Sequence, residues 1–225
     1  MRIVLVHGAG GSAFSWSTVA PLLEAAGHRV SVADNPSQSL DDDVAAVRAL
    51  VEAADEDVLL VGHSYGGAVI TNAGRHERVR GLAYVAAWAP DEGESVQGLV
   101  NANERAPVAD FFSRGPAGEW IPQDDEASRL ALAWDVPLEL HARGRDFRRQ
   151  SADAIFTGVT GAPAWATLPS RYLLAVSDQH IRPALQRMMA ERAGAVIEEI
   201  DTSHSVPFAA PEAVAAFIGR AAAGS

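Results

Sequence analysis

The chain has 225 residues and a formal net charge of −11, from 29 acidic against 18 basic side chains. Such a surface repels phosphate backbones and anionic lipid, which argues against nucleic acid and membrane as partners. Cysteine is absent and all 18 basic residues are arginine, so thiolate nucleophiles, cysteine-ligated metal and lysine Schiff bases are excluded.

Hydrophobic residues make up 48% of the chain, and surface scaling expects about 9,800 Å² folded against about 34,000 Å² unfolded, enough burial for one sizeable domain. Met1-Arg2 leads into only four apolar residues, Ile3 to Val6. That is no signal-peptide pattern, and the cytoplasm is the expected location. Monomer and homodimer both stay open.

Taken in order, short β-rich runs alternate with alanine-rich helical ones. The runs are Ile3–Val6, Arg29–Val32, Val58–Val61, Leu82–Ala86, Tyr172–Val176 and Val196–Ile200. Helical spacing covers Trp16–Ala26, Asp41–Ala54, Tyr65–Arg75, Ile181–Ala193 and Pro211–Ala222. The first, third and fifth runs are almost wholly apolar, which suits strands covered on both faces of a parallel sheet. Strand–helix alternation predicts right-handed crossovers and an open α/β sheet over residues 1–225.

Residues 89–168 break this rhythm. No convincing strand is predicted there, and Pro90, Pro107, Pro116, Pro122, Pro137 and Pro163 punctuate the segment. An insertion of this length between the fourth and fifth strands reads as a small helical cap, with an ordinary peripheral helical layer as the alternative.

The chemistry concentrates at Gly62-His63-Ser64-Tyr65-Gly66-Gly67. An apolar strand runs into Gly-x-Ser-x-Gly and a helix-forming segment leaves it. That context makes Ser64 the candidate nucleophile on a strained strand–turn–helix elbow, against a plain turn with an incidental serine. Gly62 and Gly66 flank the serine because a β-carbon would crowd the bend. A serine needs a base and its intermediate needs hydrogen-bond donors. Glycines follow the first strand in His7-Gly8-Ala9-Gly10-Gly11, and the oxyanion hole is assigned to the backbone N–H groups of Ala9 and Tyr65. This glycine run lacks the third glycine of a dinucleotide loop. His7 reads as a ring bonding nearby backbone.

The base is expected on the loop after the last strand, at His204 in Thr202-Ser203-His204-Ser205. The orienting acid is expected at Asp178, just past the fifth strand, with Asp201 as the rival and helix capping as the other reading of Asp178. Ser64, Asp178 and His204 occur in serine–acid–histidine order. No histidine pair has metal-ligand spacing, so no metal or other cofactor is expected.

These stretches, with Phe14-Ser15-Trp16 and the run from Asp178 to Met189, resemble the α/β-hydrolase fold superfamily over essentially the whole chain. Within it the sequence is similar to the compact group of methylesterases, salicylate-binding esterases and hydroxynitrile lyases. The resemblance implies a six-stranded sheet, a small cap and a cofactor-free esterase acting on carboxylic esters. Hydroxynitrile lyases of this group carry threonine where Gly8 stands and lysine where Ser205 stands, so cyanohydrin cleavage is not expected. The expected substrate is a small ester, with Trp88 and Trp134 as candidate lining residues against plain cap core. A lyase, cyclase or decarboxylase on the same scaffold, and a ligand receptor with residual esterase activity, are the alternatives.

Overall fold

The computed structural model describes residues 1–116 and 120–224. From β1 (Arg2–Val6) the chain passes a 3-10 turn at Ala13–Trp16 and helix α1 (Ala20–Ala25) into β2 (Arg29–Val32). Helix α2 (Leu40–Glu52) starts where the Ser39 side chain accepts from Asp42 N, and three aspartates fill its first turn, where the helix dipole favours them. Next come β3 (Val58–His63), α3 (Gly66–Ala73) and β4 (Val79–Val85).

Between β4 and the next core strand lie α4 (Val96–Ala102), β5 (Phe112–Arg114), β6 (Trp120–Pro122), α5 (Glu126–Leu132), α6 (Leu138–Asp146) and α7 (Ala154–Thr157). β5 and β6 form an antiparallel hairpin with Phe112 opposite Pro122 and Arg114 opposite Trp120. The sequence expectation of no strand here is therefore corrected. Each strand is three residues long, too short for an alternating pattern to stand out. The chain closes with β7 (Ser170–Ala175), α8 (Pro183–Arg192), β8 (Val196–Ile200), α9 (Val206–Ala209) and α10 (Pro211–Ala223).

Six strands form one parallel sheet in the order β2-β1-β3-β4-β7-β8. Its two faces bury alternate residues of the same strands. Val4, Leu60, Tyr84 and Leu174 pack with α2, α3 and α8. Ile3, Leu59, Ala83 and Leu173 pack with α1 and α10. Helix α10 buries Val214, Phe217, Ile218 and Ala221, a 3.6-residue stripe facing the sheet. A fully buried Phe217 contributes about 1.5–3 kcal/mol. The accessible surface is 9,559 Å², close to the value that surface scaling expects for one folded domain of this size. No helix among the described residues is long and apolar enough to cross a membrane.

The order reverses at β1, which has β2 on one side and β3 on the other. Crevices at the carboxyl ends of such strands are where open α/β sheets bind ligands. The Gly8–Gly11 loop leaves β1 there, and Ser64 leaves β3.

Candidate active site

Ser64 sits between β3 and α3 with φ +54°, in the left-handed region that costs a non-glycine residue about 1–2 kcal/mol. The surroundings hold it there. Ser64 N donates to Val85 O, while its carbonyl accepts from Gly67 N and Trp88 N at 3.0 Å each. A β-carbon on Gly62 would come within 2.5 Å of Gly66 O, and one on Gly66 within 2.5 Å of Val6 O, so both positions need glycine. Beneath the elbow the Tyr65 hydroxyl donates to Asp43 Oδ2 at 2.8 Å, and Asp43 Oδ1 accepts from Ser37 N at 2.7 Å. Burial raises the Asp43 carboxyl above its ordinary value.

Gly8 packs directly on the serine. A β-carbon there would lie 2.8 Å from Ser64 Cβ and 3.2 Å from its Oγ, so the threonine of the hydroxynitrile lyases has no room. Among the described residues no protein group accepts from the backbone N–H of Ala9 or of Tyr65. Both donors remain available beside the serine.

Asp178 and His204 come from the ends of neighbouring strands, β7 and β8. His204 Nδ1 donates to Asp178 Oδ2 at 2.7 Å, and both side chains are buried. Asp178 Oδ2 also accepts from Gln186 Nε2 at 2.8 Å, and Oδ1 accepts from His180 N at 2.6 Å and Ile181 N at 3.0 Å. Asp178 thus both caps the turn that follows it and holds the imidazole. Asp201 points elsewhere and accepts from Ser177 Oγ at 2.6 Å. Burial raises the Asp178 carboxyl and lowers the His204 imidazole. Near neutrality the pair is therefore carboxylate and neutral imidazole, the state a general base requires.

Two further histidines flank the His204 ring. His63 Nε2 donates to His204 O at 2.8 Å, with ring centroids 4.9 Å apart. His180 stacks on the other ring contact at 4.3 Å and 16°. Burial lowers both to about 3, keeping them uncharged at neutral pH.

Ser64, His204, Gly8 and Ala9 border one cavity of about 580 Å³. Val96, Val108, Phe111, Phe112, Val136 and Phe156 supply apolar wall from the segment between β4 and β7. Among the described residues the Ser64 hydroxyl makes no hydrogen bond to His204. Such contacts tighten in the substrate complex.

The alpha/beta hydrolase family profile matches residues 3–217 of the chain. The chain belongs to the alpha/beta hydrolase family. Methylesterase 8 of Arabidopsis thaliana is 26% identical to this family member over 94% of the chain and 85% of that protein. Salicylic acid-binding protein 2 of Nicotiana tabacum is 34% identical over 49% of each, and the chain spans about half the length of several curated relatives that it matches. A pyrethroid hydrolase structure from Sphingobium faniae JZ-2 superposes with a TM-score of 0.85 at 24% identity, over 98% of this chain and 96% of that one. At that identity the likeness carries the fold alone.

The fold places the two tryptophans proposed from the sequence differently. Trp88 is buried and lines the cavity. Trp134 does not: it is 48% exposed on the turn after α5, between buried Ala133 and the cavity-lining Val136. The same turn sends Asp135 Oδ2 inward to accept from Ser203 N at 2.7 Å, which leaves Trp134 facing out.

Gln186 and His180 escape sequence reading. The signal for Gln186 is a polar residue within the buried stripe Leu185, Gln186, Met189, Ala190 of α8. His180 offers only its two-residue distance from Asp178. Ligand atoms of Asp178, His180 and His204 lie within 4.8 Å of one another. That set fits a cation poorly, because four N–H donors already fill both Asp178 oxygens.

Proposed function

We propose that this alpha/beta hydrolase cleaves small carboxylic esters through an acyl-enzyme on Ser64. The observation that carries the reading is the strained Ser64 elbow bordering one cavity with a buried, hydrogen-bonded His204–Asp178 pair. The names methylesterase and pyrethroid hydrolase among its relatives support it.

In the reaction His204 Nε2 takes the Ser64 proton as Oγ bonds to the ester carbon. The carbonyl electron pair moves to oxygen, and the resulting oxyanion accepts from Ala9 N–H and Tyr65 N–H. Collapse breaks the ester C–O bond, and His204 returns the proton to the departing alcohol. Water then repeats the sequence on the acyl-enzyme, releasing the acid and free Ser64. Asp178 keeps the proton on Nδ1 so that Nε2 stays open as the base. The steps draw on side chains and backbone N–H groups of this protein, with water as the second nucleophile and no cofactor.

The aromatic and aliphatic walls suit an uncharged ester with an aromatic or alicyclic part, with Trp88 as one lining residue. The segment over residues 89–168 acts as the cap that closes the cavity. A panel of p-nitrophenyl and methyl esters, with Ser64→Ala as control, tests this. The expected result is turnover of several esters by the native protein and none by the variant; equal turnover by both would overturn the reading.

A further inference from the structure

His7 is fully buried beside the oxyanion loop, yet it takes no part in the proton transfers above. Its ring bridges two groups. Arg149 Nη2 lies 3.0 Å from His7 Nε2, and His7 Nδ1 lies 2.9 Å from Gly8 O. A guanidinium can only donate, so Nε2 is the acceptor and the ring proton sits on Nδ1, donating to Gly8 O. Burial and the Arg149 charge both keep the ring neutral.

Gly8 O receives a second donor, Gly11 N at 3.2 Å. In a planar trans peptide the carbonyl and the next N–H point in opposite directions. Holding Gly8 O on the His7 side therefore turns the Ala9 N–H to the other side. Gly8 packs against Ser64 at van der Waals distance or closer for any added carbon, so that is where an oxyanion would form.

Arg149 is itself fixed at several points. Its Nε donates to Gly11 O at 3.1 Å, its Nη2 to Asn35 O at 3.0 Å, and Asp34 Oδ1 lies 2.8 Å away. The backbone on either side joins in: Arg149 N donates to Gly10 O at 2.9 Å, and Ser151 Oγ accepts from Gly10 N at 2.7 Å. Residues 149–151 thus grip the glycine loop from the segment that also walls the cavity.

We propose that Arg149 and His7 are positioning residues of the oxyanion hole: Arg149 selects the His7 tautomer, His7 holds the Gly8 carbonyl, and that peptide aims the Ala9 N–H. This rests on the esterase reading above. Lysine cannot replace the forked donor set, so Arg149→Lys should fall between the native protein and Arg149→Ala.

The test measures kcat, KM and inhibition by an aryl trifluoromethyl ketone, whose serine adduct carries an oxyanion. Arg149→Ala and His7→Phe should each lower kcat about 10- to 100-fold with KM changed less than about threefold. Ketone affinity should fall by the same factor as kcat, guanidinium ion should partly restore Arg149→Ala, and the double variant should be no worse than His7→Phe. Unchanged kcat, additive losses, or a fall in thermal stability with ketone affinity keeping pace with KM would overturn the lock. Imidazole ¹⁵N spectra judge it separately from turnover: His7 should carry its proton on Nδ1 in the native protein and lose that preference in Arg149→Ala. A native protein without ester turnover would overturn the esterase reading, while an Nε2–H His7 would overturn the lock.

Discussion

Asp178 reaches His204 across one inter-strand step, with 2.7 Å between Oδ2 and Nδ1, whereas Asp201, on the loop that carries His204, turns back to Ser177. The carboxylate bound to His204 Nδ1 therefore comes from the loop after the neighbouring strand, and in the proposed mechanism it is the acid that orients the base. Asp178→Asn should keep the fold and lower kcat about 10⁴-fold, because an amide favours the wrong tautomer and cannot support the imidazolium. Asp201→Asn should cost less than about tenfold, the scale of a lost peripheral contact. Steady-state kinetics on the two variants decide, and a reversed order would reassign the acid.

The acid limb of kcat/KM should lie at or below 6.5, the ordinary histidine value. Burial lowers His204, so the base stays neutral to lower pH and activity is lost only as pH falls through the titration of the coupled pair. Gln186 donates to the Asp178 carboxylate at 2.8 Å, which stabilises its charged form. Gln186→Leu should raise the Asp178 carboxyl further and move the acid limb up by about one unit. A limb above neutrality in the native protein, or no movement in the variant, would contradict this arrangement.

Gly8→Ala should lower kcat about 100-fold or more, since its new carbon would lie 2.8 Å from Ser64 Cβ and an ångström of displacement at reacting atoms has that effect. The rate of Ser64 labelling by an organophosphate should fall with it. Labelling at the native rate would show that the serine does not depend on this approach.

Dialysis against EDTA should leave ester turnover unchanged. Both Asp178 oxygens are occupied by N–H donors, so the Asp178–His180–His204 group functions without a cation. Activity lost to the chelator and restored by a divalent ion would count against the Ser64 mechanism.

What the sequence makes legible here is local or topological. The elbow is read from Gly62 to Gly66 because strand, turn and helix are contiguous, and both glycines prove to sit against backbone. Asp178 and His204 are 26 residues apart, yet adjacent strand ends in a parallel sheet bring such loops together. The contacts that depend on side-chain packing are not legible. Arg149 meets His7 across 142 residues, with no spacing to announce it, and Gln186 is hidden in an otherwise apolar stripe. Trp134 shows the converse error: in the insertion, composition suggests a wall, but the turn geometry of Asp135 decides which side chain faces inward. The β5–β6 hairpin is missed because three-residue strands carry almost no periodic signal.

The central claim is that Ser64 is the nucleophile, and the direct measurement is mass spectrometry of the protein after reaction with a fluorophosphonate. The expected result is one adduct, mapped to Ser64, with ester hydrolysis lost in proportion to labelling. Ser64→Ala should take no label, keep its fold and lose several orders of magnitude in kcat. A label on another residue with hydrolysis intact, or full hydrolysis by folded Ser64→Ala, would contradict it.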